Sequence, residues 1–172
     1  MIQIVLLAMA VAAQSGMSAP DGAGKAFANP HFKEATLAYA SHDYQKAVSE
    51  YQTALEELKK DPGFERSVMW RVLLDNLGMA YGLTGDLANA KATFELAIAK
   101  DPSYPLFHYN LACTYGEMGD RDRAIGELER AFSVRANVHK DEQMPDPARD
   151  ASFARFMKDE TFVAALARIR AR

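Results

Sequence analysis

A chain of 172 residues with 49% apolar content can fill one continuous core and is too short for a second full domain. Its 20 basic and 23 acidic side chains leave a formal net charge of -3, which excludes the strong positive field that nucleic acid or anionic lipid requires. The only cysteine, Cys113, excludes an internal disulfide and any cysteine-based zinc site.

The chain opens with MIQIVLLAMAVAA, and its first charged side chain is Asp21. The unbroken apolar run from Ile4 to Ala13 is about half the roughly 20 residues of a membrane-spanning helix. It matches the apolar region of a secretory signal, with Val11-Ala12-Ala13 as the small residues before Gln14, although no Lys or Arg precedes it. Residues 1–19 are therefore expected to be a signal peptide and the mature protein periplasmic or secreted. The competing reading is an N-terminal helix packed on the domain of a cytoplasmic protein. No cysteine follows the run, so a lipoprotein anchor is not expected. Residues 20–29 continue a Gly-, Ala-, Ser- and Pro-rich stretch without apolar period, which reads as a flexible leader.

From residue 30 the chain repeats itself. Gly78, Tyr81, Asp86, Ala90, Ala97 and Ile98 are answered 34 residues later by Ala112, Tyr115, Asp120, Ala124, Ala131 and Phe132. An earlier copy, Asp43, Ala47, Tyr51, Ala54 and Leu55, stands 43 residues before Asp86, Ala90, Phe94, Ala97 and Ile98. The units are 30–62, 66–102 and 103–137. Leu74, Leu77, Gly78 and Tyr81 share one helical face, Gly85 suits a left-handed helix end, and Asp86 suits the next N-cap. Gly119-Asp120 repeats that turn, and His42-Asp43 stands in its place in the first unit. About nine extra residues in EELKKDPGFERSVMW are expected to lengthen both adjoining helices around Asp61-Pro62-Gly63, with Leu58, Phe64 and Trp70 packed on the added turns. Residues 138–172 read as a linker and C-terminal capping helices: Asp159 is the expected N-cap, and Phe153, Phe156, Phe162 and Leu166 are the expected apolar contacts.

Catalytic candidates are thin. His108 and Cys113 lie five residues apart, about 140° around a helix axis, which suits neither shared chemistry nor a metal. A phosphate loop, an HExxH pair and a nucleophile elbow are all absent from the sequence, so no catalytic residue, metal or cofactor is expected.

The pattern Asn76-Leu77-Gly78, Tyr81, Gly85-Asp86, Ala90, Phe94, Ala97 and Pro102 resembles the tetratricopeptide repeat; the third unit matches it well but has Ala136 in place of the closing proline, and the first matches it less closely. The resemblance implies an all-α fold, a right-handed superhelical stack of helix-turn-helix repeats, and a non-catalytic scaffold that binds a protein or peptide on its concave face. Carried onto this chain, the inward positions are Phe32, Thr36 and Tyr39, then Val72, Asp75, Asn76 and Met79, then Leu106, Tyr109, Asn110 and Cys113. The Lys and Arg of the family's carboxylate clamp are missing: Phe32, Leu106 and Asn110 stand there. The alternatives are a self-associating module that forms a homo-oligomer, or a groove filled by the chain's own termini.

Overall fold

The computed structural model describes residues 28–139 and 142–171, so the expected signal peptide and most of the leader lie outside the described residues. Every regular element among the described residues is helical. Contacts divide the chain into two units, one ending at Asp86 and one starting at Leu87.

The first unit holds α1 (Pro30–Ala40), α2 (Tyr44–Leu58) and α3 (Val68–Leu83). Pro30 sits where a helix has a spare N–H in any case, and the Asn29 side chain accepts the N–H of Phe32 at 2.9 Å. Asp43 caps α2 through the N–H of Lys46, and Ser67 caps α3 through the N–H of Trp70. Ala35, Ala38, Ala47 and Ala54 are buried and let α1 and α2 approach closely, while Phe32 and Tyr51 meet edge to face between them. Tyr51 also receives the Asn76 amide at 3.0 Å, and Gln52 donates to the Tyr81 phenol at 2.6 Å, which ties α3 to α2.

The insertion lengthens α3 but not α2 as expected: α3 starts at Val68, about one turn before Arg71, the position that matches the first residue of Pro105–Met118 in the next repeat. Helix α2 stops at Leu58, and the added residues form a tight turn followed by a short 3-10 turn, Phe64–Arg66. The physical reason is local. Pro62 has no N–H to continue α2, and the Asp61 carboxylate accepts the N–H of Gly63 at 3.1 Å, which closes a turn. Leu58, Phe64 and Trp70 are buried as expected, Leu58 at the end of α2, Phe64 on the connector and Trp70 in the first turn of α3.

The second unit holds α4 (Leu87–Lys100), α5 (Pro105–Met118), α6 (Arg121–Ser133) and α7 (Glu160–Arg170). Between α6 and α7 lie 3-10 turns at Arg135–Asn137, Pro147–Arg149 and Ala151–Phe156. Ala90, Ala97, Ala112, Ala124 and Ala131 are buried and set close helix approaches; Phe94, Phe107 and Leu128 fill the spaces. Asp159 caps α7 through the N–H of Phe162 at 3.0 Å. Phe153 and Phe156 both contact the Phe162 ring, and Phe153, Phe162 and Leu166 are buried, so the tail closes the end of the unit.

The three repeat turns share one geometry. The N–H of Asp43 bonds the carbonyl of Ala38, that of Asp86 the carbonyl of Tyr81, and that of Asp120 the carbonyl of Tyr115, at 2.9, 2.9 and 2.8 Å. The preceding residue has positive φ each time: His42 at 65°, Gly85 at 82° and Gly119 at 80°. Tyr81 and Tyr115 thus hold equivalent places in their hairpins.

Candidate functional site

In the first unit the residues expected to face inward lie on α1 and α3. Thr36 donates to the carbonyl of Phe32 at 2.8 Å, and Tyr39 reaches Met79 across the two helices, with 3.9 Å from the phenol oxygen to Sδ. Burial, with the nearby Asp75 carboxylate, pushes the Tyr39 phenol well above its ordinary value. Phe32, Asp75 and Asn76 are buried, and the Asn76 amide is committed to Tyr51. Tyr51 is itself pushed up to about 12 by burial, against the hydrogen bonds from Thr36 and Asn76.

What remains accessible is apolar. Val72 and Met79 are half-buried, while Val68 and Leu83, one turn beyond them at either end, are 48% and 41% exposed. At 100° per residue the four fall within about 60° of one another, so they form one stripe along α3. Sequence reasoning missed Val68 and Leu83, although continuing the same spacing outward reaches both.

The second unit treats the residues expected to face inward differently. Leu106, Tyr109 and Asn110 are buried, and Cys113 is half-buried. The Tyr109 phenol donates to Asp150 Oδ2 at 3.1 Å, the Cys113 thiol donates to the same oxygen at 3.7 Å, and the Phe153 ring meets Tyr109 edge to face. One turn on, Gly116 lies so close to the tail that a Cβ there would come 2.5 Å from the Ser152 carbonyl oxygen. Burial first, and Asp150 next, hold the Cys113 thiol well above its ordinary value, which disfavours the thiolate that a nucleophile needs. The chain's own C-terminal segment is therefore seated on this face of α5.

On another side of the same unit a cleft of about 600 Å³ opens between α4 and α6 over Leu111 and Tyr115. Its walls carry both signs of charge: Tyr115 donates to Glu95 at 3.4 Å, and the Arg123 guanidinium stacks over the Tyr115 ring at 4.6 Å. Among the described residues no group of three or more His, Cys, Asp or Glu is placed to hold a metal ion.

A tetratricopeptide repeat family model matches residues 73–104, and a second matches residues 93–126. The Sgt2 TPR domain from Aspergillus fumigatus superposes with a TM-score of 0.55 at 20% identity, over 91% of this chain and 83% of that one. Residues 73–126 are thus tetratricopeptide repeat sequence. The likeness to the fungal domain is one of fold. The comparison with curated proteins found no match. Tetratricopeptide repeats serve as protein-interaction scaffolds and are typically non-catalytic. Among the described residues of this repeat protein no helix is long and apolar enough to cross a membrane.

Proposed function

We propose that this repeat protein is a non-catalytic scaffold of the cell envelope that binds an apolar protein segment along the inward face of α1 and α3. The observation that carries the reading is the stripe of exposed Val68 and Leu83 and half-buried Val72 and Met79 beside Tyr39. Burying such side chains stabilises a complex by about 25 cal/mol per Å² of apolar surface, before the costs of association. Face residues of α5 make no such offer, because Tyr109 is enclosed by Phe153 and Asp150. Export is supported by the apolar run Ile4 to Ala13.

The test is capture of a crosslinked protein from envelope fractions by the wild-type chain and by Met79→Glu. Loss of capture with an unchanged melting temperature supports the proposal; equal capture overturns it. Few charges line the stripe, so capture should change little with salt. The competing reading is a homo-oligomer, which Leu37 favours at 65% exposure. Light scattering separates the two, since a strict monomer leaves only the scaffold.

A further inference from the structure

His108 has an oxygen acceptor at each ring nitrogen. Its Nδ1 lies 2.7 Å from Glu127 Oε2, and its Nε2 lies 3.0 Å from the carbonyl oxygen of Pro102. A neutral imidazole has one N–H and one lone pair, so only the doubly protonated ring can donate both bonds. The site is enclosed, with His108 5% and Glu127 7% exposed. The groups acting on the ring from elements packed against it are Glu127 and Arg130 of α6 and the Pro102 carbonyl of the α4–α5 connector. Arg130 binds the other Glu127 oxygen and opposes the ring's charge.

The arrangement recurs in the first repeat. His31 and Glu50 are 19 residues apart, as His108 and Glu127 are, with the same 2.7 Å from Nδ1 to Oε2. Glu57 lies 3.8 Å from the second ring nitrogen of His31 and also accepts the Asn29 amide at 2.8 Å. In the middle repeat the corresponding positions hold Leu74 and Thr93, which cannot make the pair. Two independent hairpins therefore place a histidine of the first helix on a glutamate of the second.

We infer that these pairs are proton clamps: uptake of a proton by His108, and more weakly by His31, fastens the first helix of a repeat to the second, and loss of the proton loosens it. Burial alone would lower the His108 pKa, but its bonds to Glu127 and to Pro102, with the Glu127 charge, carry it above 6.5. The Glu50 bond likewise raises His31 above 6.5. A value raised on folding means that the stabilisation is complete below about 6.5 and is lost as pH rises through the folded value. At His108 the consequence reaches the tail, because the next residue, Tyr109, holds Asp150.

The experiment is a histidine-ring NMR titration of the full chain, with thermal melts from pH 6 to 9 on wild type and His108→Gln. The expected result is a His108 ring carrying protons on both nitrogens at pH 6.5 and titrating above that pH. Wild-type melting temperature should fall as pH rises, the unfolding constant growing up to about tenfold per pH unit for each proton lost. His108→Gln, which offers Glu127 one donor without charge, should flatten that dependence. A neutral His108 ring at pH 6.5, or a wild-type pH dependence in His108→Gln, overturns the inference. Should the variant fail to fold, the ring titration of the unaltered chain decides alone.

Discussion

The phenol of Tyr109 and the carboxylate of Asp150 meet at 3.1 Å across 41 residues of sequence, and this bond fixes where the tail lands on α5. Asp150 also takes the Cys113 thiol at 3.7 Å and caps its own 3-10 turn through the N–H of Ser152 at 3.0 Å. One carboxylate thus serves three donors. Asp150→Ala would leave the buried Tyr109 hydroxyl without its acceptor, at a cost of about 1–3 kcal/mol by urea unfolding. Cys113 is the only thiol in the chain, so its rate of reaction with an aromatic disulfide reports the seating of the tail. That rate should rise in Asp150→Ala; an unchanged rate would mean the tail does not depend on this bond.

Two glycines inside helices call for opposite outcomes. At Gly116 an added methyl would meet the Ser152 carbonyl at 2.5 Å and the Phe153 ring at 3.1 Å, and backbone cannot swing aside as a side chain can. Gly116→Ala should therefore destabilise by about 1–3 kcal/mol and speed the thiol reaction. At Gly126 in α6 no atom lies within 4 Å of the added methyl. Gly126→Ala should stabilise by about 0.5–1 kcal/mol through helix propensity alone. Paired unfolding curves check both signs at once.

The turns offer a second matched pair. His42 holds φ 65° where the later repeats place Gly85 and Gly119. A side chain in this region costs roughly 1–2 kcal/mol, of which His42 recovers part through its edge contact with Tyr44. Gly85→Ala should lower stability by about 1 kcal/mol, whereas His42→Gly should be neutral or gain less than about that much. A large loss in His42→Gly would mean the ring contact outweighs the backbone strain.

Repeat hairpins were legible because their signals are local. Small residues recur where helices cross, and an N-cap aspartate follows each left-handed residue, so spacing alone located Asp43, Asp86 and Asp120. The landing of the tail was not legible, because Asp150 and Tyr109 meet only once the chain has folded back. A faint signal existed: glycine in a helix interior costs about 1 kcal/mol against alanine, so Gly116 called for a close neighbour. The inserted segment misled because its charged residues extend a helical pattern, while Asp61 and Pro62 close a turn more cheaply. The spacing of His31 to Glu50 and of His108 to Glu127 was also present in the sequence, but only the distances show that each histidine meets its glutamate.

On the acid side the carboxylates set the limit. Asp159 is held below its ordinary value first by the Arg121 guanidinium and then by the N–H of Phe162, Asp146 first by Arg170, and Asp120 first by Arg123. A value lowered on folding gives stability that is complete above about 4 and is lost as pH falls through the folded value. Melting temperature should therefore fall below about pH 4, the opposite direction to the histidine limb. Arg121 joins the first turn of α6 to the capping residue of α7 at 2.8 Å, so the tail's attachment is expected to yield with this pair. Arg121→Ala should flatten the acid limb and bring forward the exposure of Cys113 on acidification, and 1 M salt should weaken the same limb in wild type by screening an exposed pair. Melts between pH 2 and 5 at two ionic strengths test this, and an acid limb identical in Arg121→Ala and wild type would show that the tail's acid sensitivity arises elsewhere.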